Sequence, residues 1–169
     1  MELTKVTFNN DPVTLVGKQL EVNDTAPSFK AVANDLSVKT NEDYSGKLTL
    51  ISVVPSIDTG VCSMQTTKFN QAAGKFKDVN FLTVSMDLPF AQGRWCSAEG
   101  VDNLTMLSDY RYASFGESYG VLIDELRLLA RSIFIIDEDS KVKYVEYVDE
   151  VTNHPDYDAA LKKLEELAK

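Results

Sequence analysis

The hydrophobic pattern of the chain predicts a central sheet built around two buried strands. Residues 48–54 (LTLISVV) and 80–86 (NFLTVSM) are nearly continuous runs of apolar or β-branched residues, the pattern of strands buried on both faces. Between them, residues 63–76 carry apolar side chains at helical spacing, which predicts a helix that begins at Cys62. A strand, a crossover helix and a second strand form a βαβ unit, so we expect the two strands to be parallel.

The second half of the chain has a different pattern. Residues 132–137 and 143–148 are typical of strands, and the short segment between them suits a hairpin, so this pair should be antiparallel. After Pro155, apolar residues recur at helical spacing as far as Leu167, with charges on the other face. This pattern predicts an amphipathic helix that covers the sheet.

The N-terminal segment predicts a small accessory ribbon. Residues 5–8 and 13–16 alternate like strands, and the polar sequence of residues 9–12 between them is typical of a turn. We therefore expect a β-hairpin extension within residues 1–17, joined to a single domain that spans residues 1–169.

Composition narrows the classes of function. A chain of 169 residues with 44% hydrophobic residues has the size of one domain with a real core. Its net charge of −9 argues against a surface that binds nucleic acid or an anionic membrane. Neither a secretory signal nor a long apolar span is recognisable, so we expect a cytoplasmic protein without a membrane segment.

The two cysteines, Cys62 and Cys96, are the candidates for chemistry. A reducing compartment keeps ordinary disulfides open, so these residues are redox-active or inert rather than a permanent link. The single histidine, His154, lies in a polar turn and argues against a zinc site. We expect neither a metal nor a cofactor.

The sequence around Cys62 favours a reactive thiol. The run from Pro55 to Cys62, PSIDTGVC, follows a buried strand and opens a helix, where free backbone N–H groups and the helix dipole favour a thiolate. The spacing P-x-x-x-T-x-x-C, with Thr59 in the fifth position, resembles the active-site signature of the peroxiredoxin family. The run as a whole is similar to the thiol peroxidase branch of that family.

The resemblance implies a fold and a set of catalytic residues. A βαβ half followed by a ββα half around one mixed sheet is the thioredoxin-like arrangement, and the resemblance supports this α/β fold more firmly than the pattern does. It further implies that Cys62 is the peroxidatic cysteine and Cys96 the resolving cysteine, linked to it by an intrachain disulfide. Arg131 resembles the active-site arginine, and Thr59 and Pro55 would shape the pocket.

The resemblance also implies partners: hydrogen peroxide and organic hydroperoxides as substrates, thioredoxin as the reductant, and a second copy of the chain in a homodimer. The role would be antioxidant defence. A disulfide needs Cα atoms about 4.4 to 6.8 Å apart, and two cysteines on separate helices rarely meet that condition. We therefore hypothesise that the turns around Cys62 and Cys96 unwind locally in each cycle.

Other interpretations of the cysteines remain open at this point. A thiol-based peroxide sensor or a thiol–disulfide oxidoreductase would use the same residues, although the sequence lacks the C-x-x-C pair of thioredoxin-like exchangers. A non-enzymatic interaction module, in which both cysteines only pack, is the third interpretation, because free cysteines are often buried hydrophobes.

Overall fold

A seven-stranded mixed sheet forms the centre of the fold. The computed structural model describes residues 6–168. From one edge to the other, the strands are β11 (Val142–Tyr147), β10 (Ser132–Ile136), β6 (Thr49–Val53), β7 (Asn80–Ser85), β8 (Thr105–Ser108), β4 (Lys30–Val32) and β5 (Val38–Thr40). The central strands β6, β7 and β8 are parallel, and the remaining neighbours are antiparallel.

Helices cover both faces of this sheet. They are α1 (Gly60–Ala73), α2 (Pro89–Glu99), α3 (Ser114–Ser118) and α4 (Tyr157–Leu167), with a short 3-10 helix at Asn41–Tyr44. The apolar residues of α1 and α4 form one core against the sheet, and α3 contributes to a larger core on the other face. Within residues 6–168, no helix is long and apolar enough to cross a membrane. The predicted mixed sheet with flanking helices is confirmed.

The predicted βαβ unit is confirmed, with one correction. β6 and β7 are parallel neighbours, and all five residues of β6 are buried, as its continuous apolar sequence predicts. The prediction that the helix begins at Cys62 is wrong, because α1 begins at Gly60. Thr59 is the N-cap residue, and its side chain accepts a hydrogen bond from the Cys62 N–H, so the helix begins two residues earlier than predicted.

The predicted hairpin and closing helix are also confirmed. β10 and β11 pair antiparallel, with Ser132 opposite Tyr147 at one end. The helix α4 buries Ala160 and Leu164 in the same core as Ile133 of β10. The amphipathic pattern thus placed the last helix correctly against the sheet.

The N-terminal hairpin is present but shorter than predicted. β1 (Val6–Phe8) pairs with β2 (Asp11–Val13), and the prediction of a second strand at residues 13–16 is wrong. Asn9 and Asn10 both have positive φ, which allows a two-residue turn and restarts the strand at Asp11. Residues 15–16 instead form β3 (Leu15–Val16), which pairs with β9 (Leu122–Ile123). Residues 1–5 of the predicted extension lie outside the described residues.

Candidate active site

Cys62 lies where the central strand β6 leaves the sheet and α1 begins. The chain turns through Pro55, which is buried, and Thr59 caps the helix. The Thr59 Oγ1 atom accepts a hydrogen bond from the backbone N–H of Cys62 at 3.3 Å. Cys62 is therefore in the first turn of α1, where the partial positive charge of the helix N-terminus is greatest.

The antiparallel register of β10 brings Arg131 to the same place. Ser132, the first residue of β10, pairs with Val53 at the end of β6, so Arg131 enters the site from the adjacent strand. The guanidinium is almost completely buried, with 2% of the residue exposed. Its Nη2 group donates a hydrogen bond to Cys62 Sγ at 3.3 Å. The structure thus places Arg131 in direct contact with Cys62.

The remaining bonds of Arg131 leave its charge without a carboxylate partner. Nε donates to the Val151 carbonyl oxygen at 2.7 Å, and Nη1 donates to Gln65 Oε1 at 2.9 Å. Among residues 6–168, Arg131 forms no ion pair with an acidic side chain. A buried charge is costly unless it is paired. Of the two side chains bonded to Arg131, Gln65 is neutral, and Cys62 is the one that can carry a compensating negative charge.

Gln65 is a site residue that our reading of the sequence missed. It is fully buried, and its Nε2 group donates to Ser52 Oγ at 2.7 Å while its Oε1 atom accepts from Arg131. Gln65 therefore fixes the guanidinium relative to β6. Its position three residues after Cys62, on the same face of the helix, was a usable signal, because a glutamine on a buried helix face needs polar partners.

The surroundings of Cys62 are otherwise apolar. Cys62 is 0% exposed and packs in a small cluster with Val54, Ile57 and Met106. This cluster keeps bulk water away from the sulfur, and in such a medium the charge on Arg131 acts with little screening. The arrangement is that of a shielded nucleophile beside a fixed cation. A cysteine that only packs would not need a buried guanidinium bonded to its sulfur.

Cys96 lies close to this cluster but is not bonded to Cys62. It is half-buried near the end of α2, and it packs with Trp95 against the apolar cluster around Cys62. Both cysteines are free thiols. Burial raises the pKa of the Cys96 thiol, which favours its protonated form. The structure therefore brings the two cysteine-bearing helices to one cluster, in which the sulfur of Cys62 is hydrogen-bonded to the Arg131 guanidinium.

His154 is the single histidine, on which the expectation that the chain has no zinc site was based. It lies in an exposed turn, and its Nδ1 atom is 2.9 Å from the Tyr157 hydroxyl. In the part of the chain that the structure describes, no three histidine, cysteine, aspartate or glutamate side chains are grouped to hold a metal ion.

Comparison with known proteins shows similarity along the chain. A family model described as Redoxin matches residues 21–161. The thiol peroxidase of Oceanobacillus iheyensis is 59% identical over 162 residues, which are 96% of this chain and 99% of that protein. The thiol peroxidase of Bacillus subtilis is 54% identical over 99% of this chain and 100% of its own length.

Solved structures show the same similarity. A peroxiredoxin-like protein from Aquifex aeolicus superposes with a TM-score of 0.91 at 44% identity, and it covers 99% of this chain and 98% of its own. A thiol peroxidase from Chromobacterium violaceum has the same fold, with a TM-score of 0.86 at 24% identity over 98% of each chain. The range matched by the Redoxin family model, residues 21–161, spans the positions of the site described above.

Proposed function

The chain belongs to the Redoxin family and is a peroxiredoxin-type thiol peroxidase, and from this premise we propose that Cys62 attacks the peroxide and that Cys96 resolves the product. Peroxides are its substrates and a thiol is its reductant. The thioredoxin-like fold predicted from the sequence is confirmed by the Redoxin family match and by the solved structure from Aquifex aeolicus.

The contact between Arg131 and Cys62 carries this proposal. Arg131 Nη2 lies 3.3 Å from Cys62 Sγ, and the helix N-terminus of α1 adds its partial positive charge to the same sulfur. Both favour the thiolate, which is the form of cysteine that attacks a peroxide. Thr59 holds the first turn of α1 in place, and buried Pro55 forms the wall of the turn without a competing N–H donor.

In the first step, the Cys62 thiolate attacks one oxygen of the peroxide and breaks the O–O bond. The attacked oxygen stays on sulfur as a sulfenic acid, and the other leaves with the electron pair and takes up a proton to form water or an alcohol. Arg131 can donate to these oxygens as charge moves onto them, because its guanidinium has several donors and always carries its charge.

In the second step, the Cys96 thiol attacks the sulfenic sulfur of Cys62. A disulfide forms, and the sulfenic oxygen leaves as water. Cys62 is in the first turn of α1, and Cys96 lies in the last turn of α2, which ends at Glu99. Helix ends open at low cost, so these two turns can unwind while the sheet stays folded.

Local unwinding makes a specific prediction for amide exchange. Backbone amides of residues 60–64 and 94–100 should exchange faster in the disulfide form than in the reduced form, because their helical hydrogen bonds must open. Amides of β6 and β10 should be protected equally in both forms. Equal protection of the two cysteine segments in both forms would contradict the unwinding.

The remaining partners follow from the same proposal. Thioredoxin would reduce the Cys62–Cys96 disulfide through exchange with its own dithiol, so two electrons pass from thioredoxin to the peroxide without a further cofactor. We propose hydrogen peroxide and organic hydroperoxides as substrates, a homodimer as the assembly, and the cytoplasm as the compartment. The cytoplasm supports this cycle because it keeps dithiol reductants in their reduced form, and the disulfide must be reopened in every cycle.

One equivalent of hydrogen peroxide added to the reduced protein tests the cycle. Intact mass should show the loss of two hydrogens, and peptide mapping should show a Cys62–Cys96 link within one chain. The Cys96→Ser variant should instead gain one oxygen on Cys62, and Cys62→Ser should not react. A stable gain of oxygen on Cys62 in the wild type would remove the resolving role of Cys96 and favour a peroxide sensor.

A further inference from the structure

Asp87 connects the two segments that carry the cysteines. It follows the central strand β7, and its carboxylate reaches the turn that precedes α1. There it accepts hydrogen bonds from the Ile57 backbone N–H at 2.9 Å and from Ser56 Oγ at 3.1 Å. Both donors belong to the segment between β6 and Cys62. The turn that leads to Cys62 is therefore held by a residue that follows a different strand.

The same chain of hydrogen bonds continues from Asp87 to α2. The Ser85 hydroxyl donates to Asp87 Oδ2 at 2.7 Å and accepts from Gln92 Nε2 at 3.0 Å. Gln92 is fully buried on α2, one helical turn before Cys96. Movement of α2 away from the sheet would break the bond between Gln92 Nε2 and Ser85 Oγ. The Ser85 hydroxyl, which donates to Asp87, would then be less firmly held.

On its other side, the chain of bonds reaches Cys62 itself. The Ser56 carbonyl oxygen accepts from the Thr59 N–H at 3.4 Å, and Thr59 Oγ1 accepts from the Cys62 N–H at 3.3 Å. Asp87 thus lies at the centre of a continuous path between the first turn of α1 and the inner face of α2. Hydrogen bonds to a carboxylate are stronger than those between neutral groups, so Asp87 is the strongest point of this path.

We propose that Asp87 is a positioning residue that holds the Cys62 turn and α2 in their closed, reduced arrangement. By doing so, it sets how fast oxidised Cys62 is released to reach Cys96. This inference rests on the proposed function, since it concerns the step in which the disulfide forms. Asp87 touches neither cysteine, and it acts through Ser56, Ile57 and Ser85.

The Asp87→Ala variant should accelerate disulfide formation and leave the attack on peroxide unchanged. The variant removes both hydrogen bonds from the Cys62 turn to this carboxylate, and the loss of one bond to a charged group already makes the open arrangement about tenfold more populated. Disulfide formation should therefore be at least about tenfold faster. The reduced protein remains almost entirely closed, so the second-order reaction with peroxide keeps its rate. Asp87→Asn retains an acceptor for the Ile57 N–H and loses the charge. Its rate of disulfide formation should therefore lie between those of the wild type and Asp87→Ala.

Trp95 provides the measurement, because it is the only tryptophan and packs beside Cys96 against the Cys62 cluster. In stopped flow, its fluorescence should show one phase that depends on peroxide concentration and one that does not, and the second phase is disulfide formation. The matched control is Asp137→Ala. The Asp137 carboxylate also accepts two backbone N–H groups, from Asp139 and Lys141, at the far end of β10.

A faster concentration-independent phase in Asp87→Ala, absent from Asp137→Ala, supports the proposal. Overoxidation should fall with it in Asp87→Ala: with excess peroxide, the yield of Cys62 sulfinic acid should drop at least about tenfold, because disulfide formation competes with the attack of a second peroxide. A lower melting temperature with an unchanged concentration-independent phase would show a merely structural role and overturn it.

If Asp87→Ala does not fold, Ser56→Ala provides the second test. It removes one of the two hydrogen bonds from the Cys62 turn to the Asp87 carboxylate and should accelerate disulfide formation by about tenfold, and by less than Asp87→Ala, since the bond from the Ile57 N–H remains. A rate equal to the wild type would again overturn the proposal. If the wild type forms no Cys62–Cys96 disulfide, the proposed function fails as well; a normal wild-type disulfide with unchanged variants overturns the role of Asp87 alone.

Discussion

Replacing Arg131 by methionine should slow the reaction of Cys62 with peroxide by about 10- to 100-fold. Arg131 donates to Cys62 Sγ at 3.3 Å from a buried position. A hydrogen bond to a charged group contributes about 1.5–3 kcal/mol, and every 1.4 kcal/mol is about tenfold in rate or population. Methionine has a similar length and fills the space without the charge, so the packing of the site changes little.

The assay is the second-order rate of sulfenic acid formation with hydrogen peroxide at neutral pH, followed in a Cys96→Ser background so that only the first step is observed. Arg131→Lys should be intermediate, since one ammonium cannot reproduce the three-way contact with Val151, Gln65 and Cys62. The control is Arg127→Met, which removes an exposed surface arginine.

The outcome that would refute this reasoning is specific. If folded Arg131→Met reacts with peroxide within about threefold of the wild type, the guanidinium does not stabilise the thiolate, and the helix N-terminus alone must suffice. Circular dichroism and the melting temperature show whether the variant is folded. If Arg131→Met is slow because it is unfolded, its rate says nothing about Cys62. The rate of the Arg131→Lys variant then decides whether the guanidinium matters.

Three further predictions concern the supports of the site and the core. Gln65→Ala should slow peroxide attack by about tenfold, because Arg131 Nη1 loses its partner and the guanidinium is no longer fixed; stopped flow measures this rate. Thr59→Ala should lower the free energy of unfolding by about 1 kcal/mol in urea denaturation, and Thr59→Ser should restore it. Burial raises the pKa of Asp109 to about 6, so the folded state holds a proton that the unfolded state releases near pH 4. Stability should therefore fall by roughly 3 kcal/mol between about pH 4 and pH 6 relative to Asp109→Asn, as measured by denaturation at each pH; parallel curves for the two proteins would contradict this.

The sequence predicted the central elements of the fold because their patterns are strong. The continuous apolar runs of β6 and β7 and the amphipathic pattern of α4 each indicate one structure. Short edge strands carry too little pattern to be recognised. β4 and β5 have three residues each and pair with each other across a short turn, and only Val32 of β4 pairs with the distant strand β8, so they were not predicted.

The candidate site was predictable for a different reason. Pro55, Thr59 and Cys62 lie within eight residues of one another, so their spacing is visible in the sequence. Arg131 was reached through family resemblance, because its proximity to Cys62 arises from the register between β10 and β6, which sequence alone does not reveal. Gln65 and Asp87 were missed since each acts through contacts with other segments.

The position of the site in the fold fits the proposed cycle, in which Cys62 is first shielded and then released to Cys96. The Cys62 cluster is small, with Val54, Ile57 and Met106 as its other buried members, and it is separate from the two larger cores that hold the helices on the sheet. Opening a cluster of this size exposes little apolar surface, since the hydrophobic contribution scales with the area that is buried. The two turns can therefore open without disturbing β6 and β10. The polar bonds to Asp87 add to the restraints on the closed form, and the role proposed for this carboxylate in the disulfide step rests on them.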